Sequence, residues 1–276
     1  MEAIKVGIIG AMAEEVNWLK AQLKDSQTTQ IAQRDFCEGK LGGTDVVVCE
    51  CGVGKVNAAM VAQTLCERYH VTHLINTGVA GSLNNDINIG DIVVATDAVH
   101  HDMDVCNLGF KPGEVAGLDT VAFPADPELH AAALDAVAAV APEIKGFAGR
   151  VASGEQFVRT QEQKDRIKSL FDADCTEMEG APIAQVAYLN KVPFVVVRAI
   201  SDKADGSASV DYPTFEKQAA EHCAKIVEYL VARLTALTSG ATHVLQWSVQ
   251  RVATWRQDAN LIKPISVRIG VCNSTP

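Results

Sequence analysis

Apolar and polar positions along the chain switch repeatedly between two periods. Residues 4–9 form a nearly unbroken apolar run closed by Gly10, as a strand covered on both faces requires, and residues 14–23 then place apolar side chains at helical spacing. Strand patterns flank Gly42-Gly43, a candidate hairpin turn, with 44–49 as the returning strand. The helical period resumes over 55–68. A short buried strand at 72–76 ends in Thr77-Gly-Val-Ala-Gly81, which reads as a turn. Further strands are predicted over 91–95, 146–152 and 193–200. Helices are predicted over 127–140, 161–170, 180–188 and, as a long closing element, 214–234. Such alternation, with one early hairpin and no linker or repeat, predicts a single α/β domain over 1–236: a mixed, mainly parallel sheet flanked by helices.

The pattern changes after Thr238-Ser239-Gly240. Four basic residues (Arg251, Arg256, Lys263, Arg268) face one acid, Asp258, so this tail is net +3 on a body near −13. A short amphipathic helix through Leu245, Val249 and Val252 and an alternating run from Ile265 to Val271 are the patterns it offers. Residues 237–276 are therefore set apart as a C-terminal extension of unknown role. The net charge of −10 disfavours nucleic acid, because backbone phosphates would be repelled, and favours a neutral or cationic small molecule. No apolar run approaches the roughly 20 residues of a membrane span. The N-terminus has neither the basic nor the long apolar region of a signal peptide, which points to the cytoplasm. Eight scattered cysteines without a CxxC pair predict no disulfide framework and no zinc site.

Candidate chemistry gathers where strands end. The run from Phe194 to Val197 is continuously apolar, polar residues appear only as it closes, and Asp202 therefore lies at a strand's C-terminal mouth, where open α/β sheets bind ligands. Glu177 and Glu179 precede this run by about twenty residues, beside the same apolar wall. Gly52-Val53-Gly54-Lys55 lacks the third glycine of a dinucleotide fingerprint, yet such a turn can present bare N–H groups to a phosphate or to sugar hydroxyls. The turn after the first strand instead carries Glu14 and Glu15 and no basic residue, so it would repel an anion. Both glutamates also suit the first turn of a helix on dipole grounds alone. The run His100-His101-Asp102-Met103-Asp104 reads as a hydrogen-bonded loop rather than a ligand cluster, there being no second cluster nearby.

Taken together, these segments resemble a known family. Gly7-Ile-Ile-Gly-Ala-Met-Ala-Glu-Glu15-Val, Cys51-Gly-Val-Gly-Lys55-Val, Ile75-Asn-Thr-Gly-Val-Ala-Gly81 and Gly90-Asp-Ile-Val-Val are similar to the 5′-methylthioadenosine/S-adenosylhomocysteine nucleosidases. So are Ser153-Gly-Glu-Gln-Phe157, Glu177-Met-Glu-Gly-Ala181 and Val197-Arg-Ala-Ile-Ser-Asp202. Seven motifs in order over residues 4–234 are far more specific than any one alone, and the tail is not covered. The resemblance implies the nucleoside phosphorylase-like fold, a homodimer, and hydrolysis of the N-glycosidic bond of both nucleosides to adenine and a 5-thioribose, a step of methionine salvage and S-adenosylhomocysteine breakdown. It implies no cofactor and no metal.

Carried onto this chain, the resemblance makes Glu15 the base that activates water, Asp202 the acid that protonates N7 of the leaving adenine, and Glu179 the ribose clamp, with Glu14 solvated. Desolvation at the end of an apolar strand would keep a proton on Asp202, and Ser201 would orient it. Glu177 is expected to be a partner or a surface residue. Phe157 would stack on the purine, the Val158 backbone would read its edge, and Met178 would pack on the sugar. Arg198 would hold water and glutamates in register, and its burial implies a carboxylate partner. Met12, Val53, Gly78, Val79 and Gly81 are placed among the substrate-binding residues, Val79 where other members carry Ser. Tyr212 and Phe215 would cover the alkylthio group. Leu108 and Ala116 depart from the residues common in the segment that reaches a neighbouring subunit. The alternatives are a purine nucleoside phosphorylase, which would use phosphate in place of water, and a non-catalytic purine-binding module.

Overall fold

The computed structural model describes residues 3–203 and 208–239, with side chains in the second stretch over 215–234. The first apolar run is β1 (Lys5–Gly10) and leads into α1 (Ala13–Gln22). A meander follows: β2 (Lys24–Ile31), β3 (Arg34–Leu41) and, after the Gly42-Gly43 turn, β4 (Thr44–Glu50). Next come α2 (Lys55–Tyr69), β5 (His73–Ser82), β6 (Ile92–His100) and β7 (Ala122–Pro124). The rest is α3 (Pro127–Val140), β8 (Gly146–Ser153), α4 (Gln161–Phe171), β9 (Cys175–Glu177), α5 (Gly180–Asn190), β10 (Phe194–Asp202) and α6 (Ala208–Ser239).

One sheet takes up all ten strands in the order β10-β6-β8-β9-β5-β1-β4-β3-β2, with β7 on β6 and β10 also paired to β5. The last pairing closes β5, β10, β6, β8 and β9 into a ring, and the remaining strands extend from it as a wing. Parallel pairing runs through β4-β1-β5-β10 and β6-β8-β9. The other pairs are antiparallel.

The two-residue period of the strands divides the core. Val6 and Ile8 of β1, Val46 and Val48 of β4, and Val195 and Val197 of β10 pack with α1, α3 and α6. Ile9, Val47, Cys49, Phe194 and Val196 point the other way, against α2 and α5. Burial on both faces is the reason these strands read as continuous apolar runs.

Three departures from the sequence pattern matter for the site. Thr77 to Gly81 is strand rather than turn, because β5 stays paired with β10 from Leu74 through Gly81. β6 likewise continues past Ala95 to His100, across a register shift between Ala95 and Asp97. β2 gave no apolar signal: its first seven residues are exposed, and antiparallel pairing with β3 is what holds it.

Candidate active site

The C-terminal ends of β1, β4, β5, β8, β9 and β10 converge on a cleft with about 540 Å³ of empty space, part of it open to solvent. Its walls include Ala11, Met12, Glu15, Val53, Val79, Gly81, Phe157, Val158, Met178, Glu179, Ser201 and Asp202. Gln156, Thr176, Ala80 and Glu177 complete them. Four carboxylates line the cleft, and no Lys, Arg or His does so among the described residues.

Glu15 owes its place to helix geometry. As the third residue of α1 it reaches back to the helix start, where Oε2 accepts from the backbone N–H groups of Ala11 (2.5 Å) and Met12 (3.0 Å). Oε1 accepts from the Val79 N–H at 3.0 Å, which ties α1 to β5. Burial raises the Glu15 pKa, against the lowering effect of Arg198 and these N–H donors. Glu14, by contrast, is exposed.

Arg198, fully buried in the middle of β10, stands one layer behind the cleft instead of lining it. Its Nη2 donates to Glu177 Oε2 and, at 2.5 Å, to Asn76 Oδ1, while Nη1 donates to the Val79 carbonyl at 3.3 Å. Glu179 Oε2 lies 3.6 Å and Glu15 Oε1 3.8 Å from the guanidinium. Glu177 is therefore no surface residue. It is the closest carboxylate partner of Arg198, and it also accepts from the Ser153 hydroxyl and from the N–H groups of Glu179 (3.0 Å) and Gly180 (2.7 Å). Gly78 is equally a backing residue: a Cβ there would collide with the Glu15 carboxylate and the Arg198 guanidinium.

Glu179 faces the cleft, with Oε1 accepting from the Gly54 N–H at 2.8 Å. Gly54 starts α2 at φ +98°, a backbone that favours glycine and directs this N–H inward. Burial, and then the neighbouring Glu177, push the Glu179 pKa up to about 8 in spite of Arg198. One guanidinium thus serves three carboxylates.

Asp202 closes β10 on the opposite wall. The register with β5 slips between Ile200 and Asp202, a bulge at Ser201 that re-aims the chain as the strand ends. Ser201 Oγ donates to Asp202 Oδ1 at 3.1 Å, and Gly81 leaves room for the carboxyl, since a Cβ there would lie 2.8 Å from Oδ2. The setting is buried, as the sequence suggested, but it is not simply apolar. Lys164 Nζ of α4 lies 3.3 Å from Oδ2, with both side chains 2% exposed. Its charge favours the carboxylate form and opposes the desolvation invoked from sequence.

Lys164 was not singled out from the sequence, although a signal was present. Lys164, Ile167 and Phe171 share one face of α4 at i, i+3 and i+7, and all three are buried, so a lysine stands where the helical period calls for an apolar residue. Asn76 and Ser153 were also missed, being ordinary polar residues without a spacing signature.

Phe157 is 46% exposed at the rim, Val158 is buried beneath it, and Met178 and Met12 are half-buried. Phe215, half-buried on α6, does not line the cleft, and the Tyr212 side chain lies outside those described. The His100 segment is a hydrogen-bonded network. Lys55 Nζ donates to Asp102 Oδ1 at 2.5 Å and approaches His100 Nδ1 at 3.4 Å, and His100 Nε2 meets Gln185 Oε1 at 2.9 Å. Burial, reinforced by Lys55, lowers the His100 pKa to about 4.

The phosphorylase superfamily model matches residues 5–232. The chain is 40% identical over 232 residues to a 5′-methylthioadenosine/S-adenosylhomocysteine nucleosidase of an Exiguobacterium species, covering 84% of this chain and 99% of that protein. Among solved structures it is similar to the nucleosidase of Colwellia psychrerythraea in complex with adenine. That likeness has a TM-score of 0.81 at 34% identity, over 84% of this chain and 96% of the other. It is also similar to the futalosine hydrolase of Helicobacter pylori, with a TM-score of 0.79 at 31% identity, over 84% and 98%.

Proposed function

The chain belongs to the 5′-methylthioadenosine/S-adenosylhomocysteine nucleosidase family of the phosphorylase superfamily, and from that premise we propose that it hydrolyses the N-glycosidic bond of these two nucleosides to release adenine. One observation carries the choice of water over phosphate as nucleophile. The cleft wall has four carboxylates and no basic side chain among the described residues, so a phosphate would enter against like charge with no cation to receive it.

In this reading Glu15 is the base. The C1′–N9 bond breaks with its electron pair going to the purine, the water oxygen bonds to C1′, and Glu15 accepts the water proton. Asp202 gives its proton to N7 and is left as carboxylate. The positive charge that develops on the sugar meets Glu179, whose ionised form it favours. Attack from the side opposite the leaving group is the logic of an inverting hydrolysis. Phe157 stacks on the base, Met178 packs on the ribose, and Val79 contributes an apolar wall where its N–H is already committed to Glu15. Tyr212 is proposed to cover the 5′ substituent.

We also propose a homodimer acting in the cytoplasm, where the product feeds methionine salvage. Exposed Val53 in the cleft wall, Val56 on α2 and Leu108 in the β6–β7 connection support the dimer, and the free thiols of the described cysteines fit a reducing compartment. The test is adenine release from each nucleoside with and without phosphate. Turnover independent of phosphate is expected, and a strict phosphate requirement overturns the hydrolase. Futalosine belongs in the same assay because a hydrolase of that name shares the fold.

A further inference from the structure

α4 carries more than the loop that precedes it. Thr160 caps the helix, its hydroxyl accepting from the Gln163 N–H, and Phe157 and Val158 of the cleft wall precede this cap by three and two residues. From the first turn Lys164 turns inward. Its Nζ lies 3.3 Å from Asp202 Oδ2 and donates to the Lys203 carbonyl. Lys164 also borders a polar groove with Asn84, Asp86 and Asp165, and its ammonium pairs with the buried Asp202 carboxylate. Asp165 is served by Gln161 Nε2 at 2.8 Å, and Lys168 by Asp172 (2.9 Å) and Asp174 (3.7 Å). A buried ion pair is a costly device, and a methionine of similar length would fill the space at less cost.

We propose that Lys164 is a positioning residue for the reaction: its ammonium fixes the orientation of the Asp202 carboxyl and stabilises the negative charge that appears there as the proton passes to the purine. This rests on the reading of Asp202 as the acid. The carboxyl is held on both oxygens, by the Ser201 hydroxyl on Oδ1 and by Lys164 on Oδ2. When the O–H bond breaks, its electron pair stays on Asp202 while the N7 lone pair takes the proton, so an anion forms beside an ammonium already in place. A preformed charge of this kind acts most strongly in the transition state. It also makes Asp202 a stronger acid than desolvation alone would allow, which advances proton transfer at the expense of the protonated fraction at high pH.

The charges around Asp202 come from several elements. α4 contributes Lys164, and β5 contributes only the Gly81 backbone on this side. Across the cleft stand Glu15 of α1 and Glu177 and Glu179 at the start of α5, with Arg198 behind them. All three carboxylates would oppose ionisation of Asp202. Among the described residues, Lys164 is a cation placed to favour it from the near side.

The experiment compares pH profiles of adenine release for Lys164→Met, Lys164→Gln and Lys164→Arg with the unmodified protein. Lys164→Met is expected to lower kcat at neutral pH by roughly 10²-fold. It should also move the alkaline limb of kcat/KM upward by roughly 1–3 pH units, as loss of an adjacent opposite charge requires. Lys164→Gln keeps a donor without the charge and carries the same expectation should the methionine variant not fold, whereas Lys164→Arg should hold the limb in place. The double variant with Asp202→Asn should be no slower than Asp202→Asn alone. An unmoved limb in the folded neutral variants, or additive losses in the double variant, overturns the proposal. If Asp202→Asn itself turns over like the unmodified protein, the acid reading fails instead, and the two failures are thereby separable.

Discussion

Arg198 is a single cation among three buried carboxylates, and the sign of that imbalance fixes how each substitution should behave. Glu15 must be ionised to accept a proton from water. Because burial raises its pKa, the acid limb of kcat/KM is predicted to lie above the ordinary glutamate value of 4.5, with rate lost as pH falls through it. Glu15→Gln and Asp202→Asn should each reduce adenine release by roughly 10²–10⁴-fold, since each removes one partner in proton transfer. Adenine release equal to that of the unmodified protein would overturn these two assignments, whereas an unmodified protein that releases no adenine would favour the binding module. Stability has the opposite pH dependence to the rate. Glu179 has a folded pKa raised to about 8, so its contribution is fully present below the unfolded value of 4.5 and is lost as pH rises through 8. The unliganded protein should therefore lose melting temperature between about pH 5 and 8. Glu179→Gln, which keeps an acceptor for the Gly54 N–H, should lose less over that interval. An identical drop in both proteins on thermal denaturation would show that Glu179 is not charging as described.

Elements bring these residues together through strand ends, and the β10 bulge shows how little tolerance the arrangement has. Gly81 faces Asp202 across the β5–β10 pair, where a Cβ would lie 2.8 Å from Oδ2. Gly81→Ala is predicted to displace the carboxyl, lowering kcat by about 10²-fold while the far-ultraviolet circular dichroism stays that of the unmodified fold. Activity equal to the parent would mean that the Asp202 position is less constrained than the bulge implies. The strands buried on both faces, β1, β4 and β10, were legible because the two core layers make every position apolar, and Asp202 was legible as the first acid beyond such a run. β2 was hidden because its side chains are solvated and only hydrogen bonds to β3 define it. The second half of β5 was hidden because Gly78 and Gly81 look like turn residues, whereas the glycines there admit the side chains of Glu15, Arg198 and Asp202. The family resemblance named Glu15, Glu179 and Asp202 as the acting carboxylates. It could not show that Arg198 lies behind the wall or that Glu177 rather than Glu179 is its closest partner, because both follow from how β9 and β10 meet in space.

At the scale of the whole molecule, the C-terminal extension and the quaternary state are separable questions. The family match ends at residue 232, and 232 aligned residues span 99% of the Exiguobacterium relative, so nothing in that enzyme corresponds to the basic tail. A chain ending at Gly240 should keep its adenine release undiminished, and a loss would assign the extension a part in folding or assembly. The dimer is tested on the surface that α2 and α5 share, which are joined by the Asn190 Nδ2 donation to Gln63 Oε1 at 2.8 Å. Val56 is 81%, Leu189 55% and Tyr188 47% exposed on these two helices, apolar surface that water penalises and that the proposed second copy would cover. Val53 lines the cleft only three residues before Val56, so a subunit docked there would also shield the rim where Phe157 stands. Val56→Glu places a charge in the proposed interface and should convert the proposed dimer into a smaller species on size-exclusion chromatography with light scattering, at unchanged secondary structure. Adenine release should fall with it, because the rim would be left open to water. An unmodified chain that runs as a monomer sinks the dimer, whereas a dimer that survives Val56→Glu moves the interface away from α2.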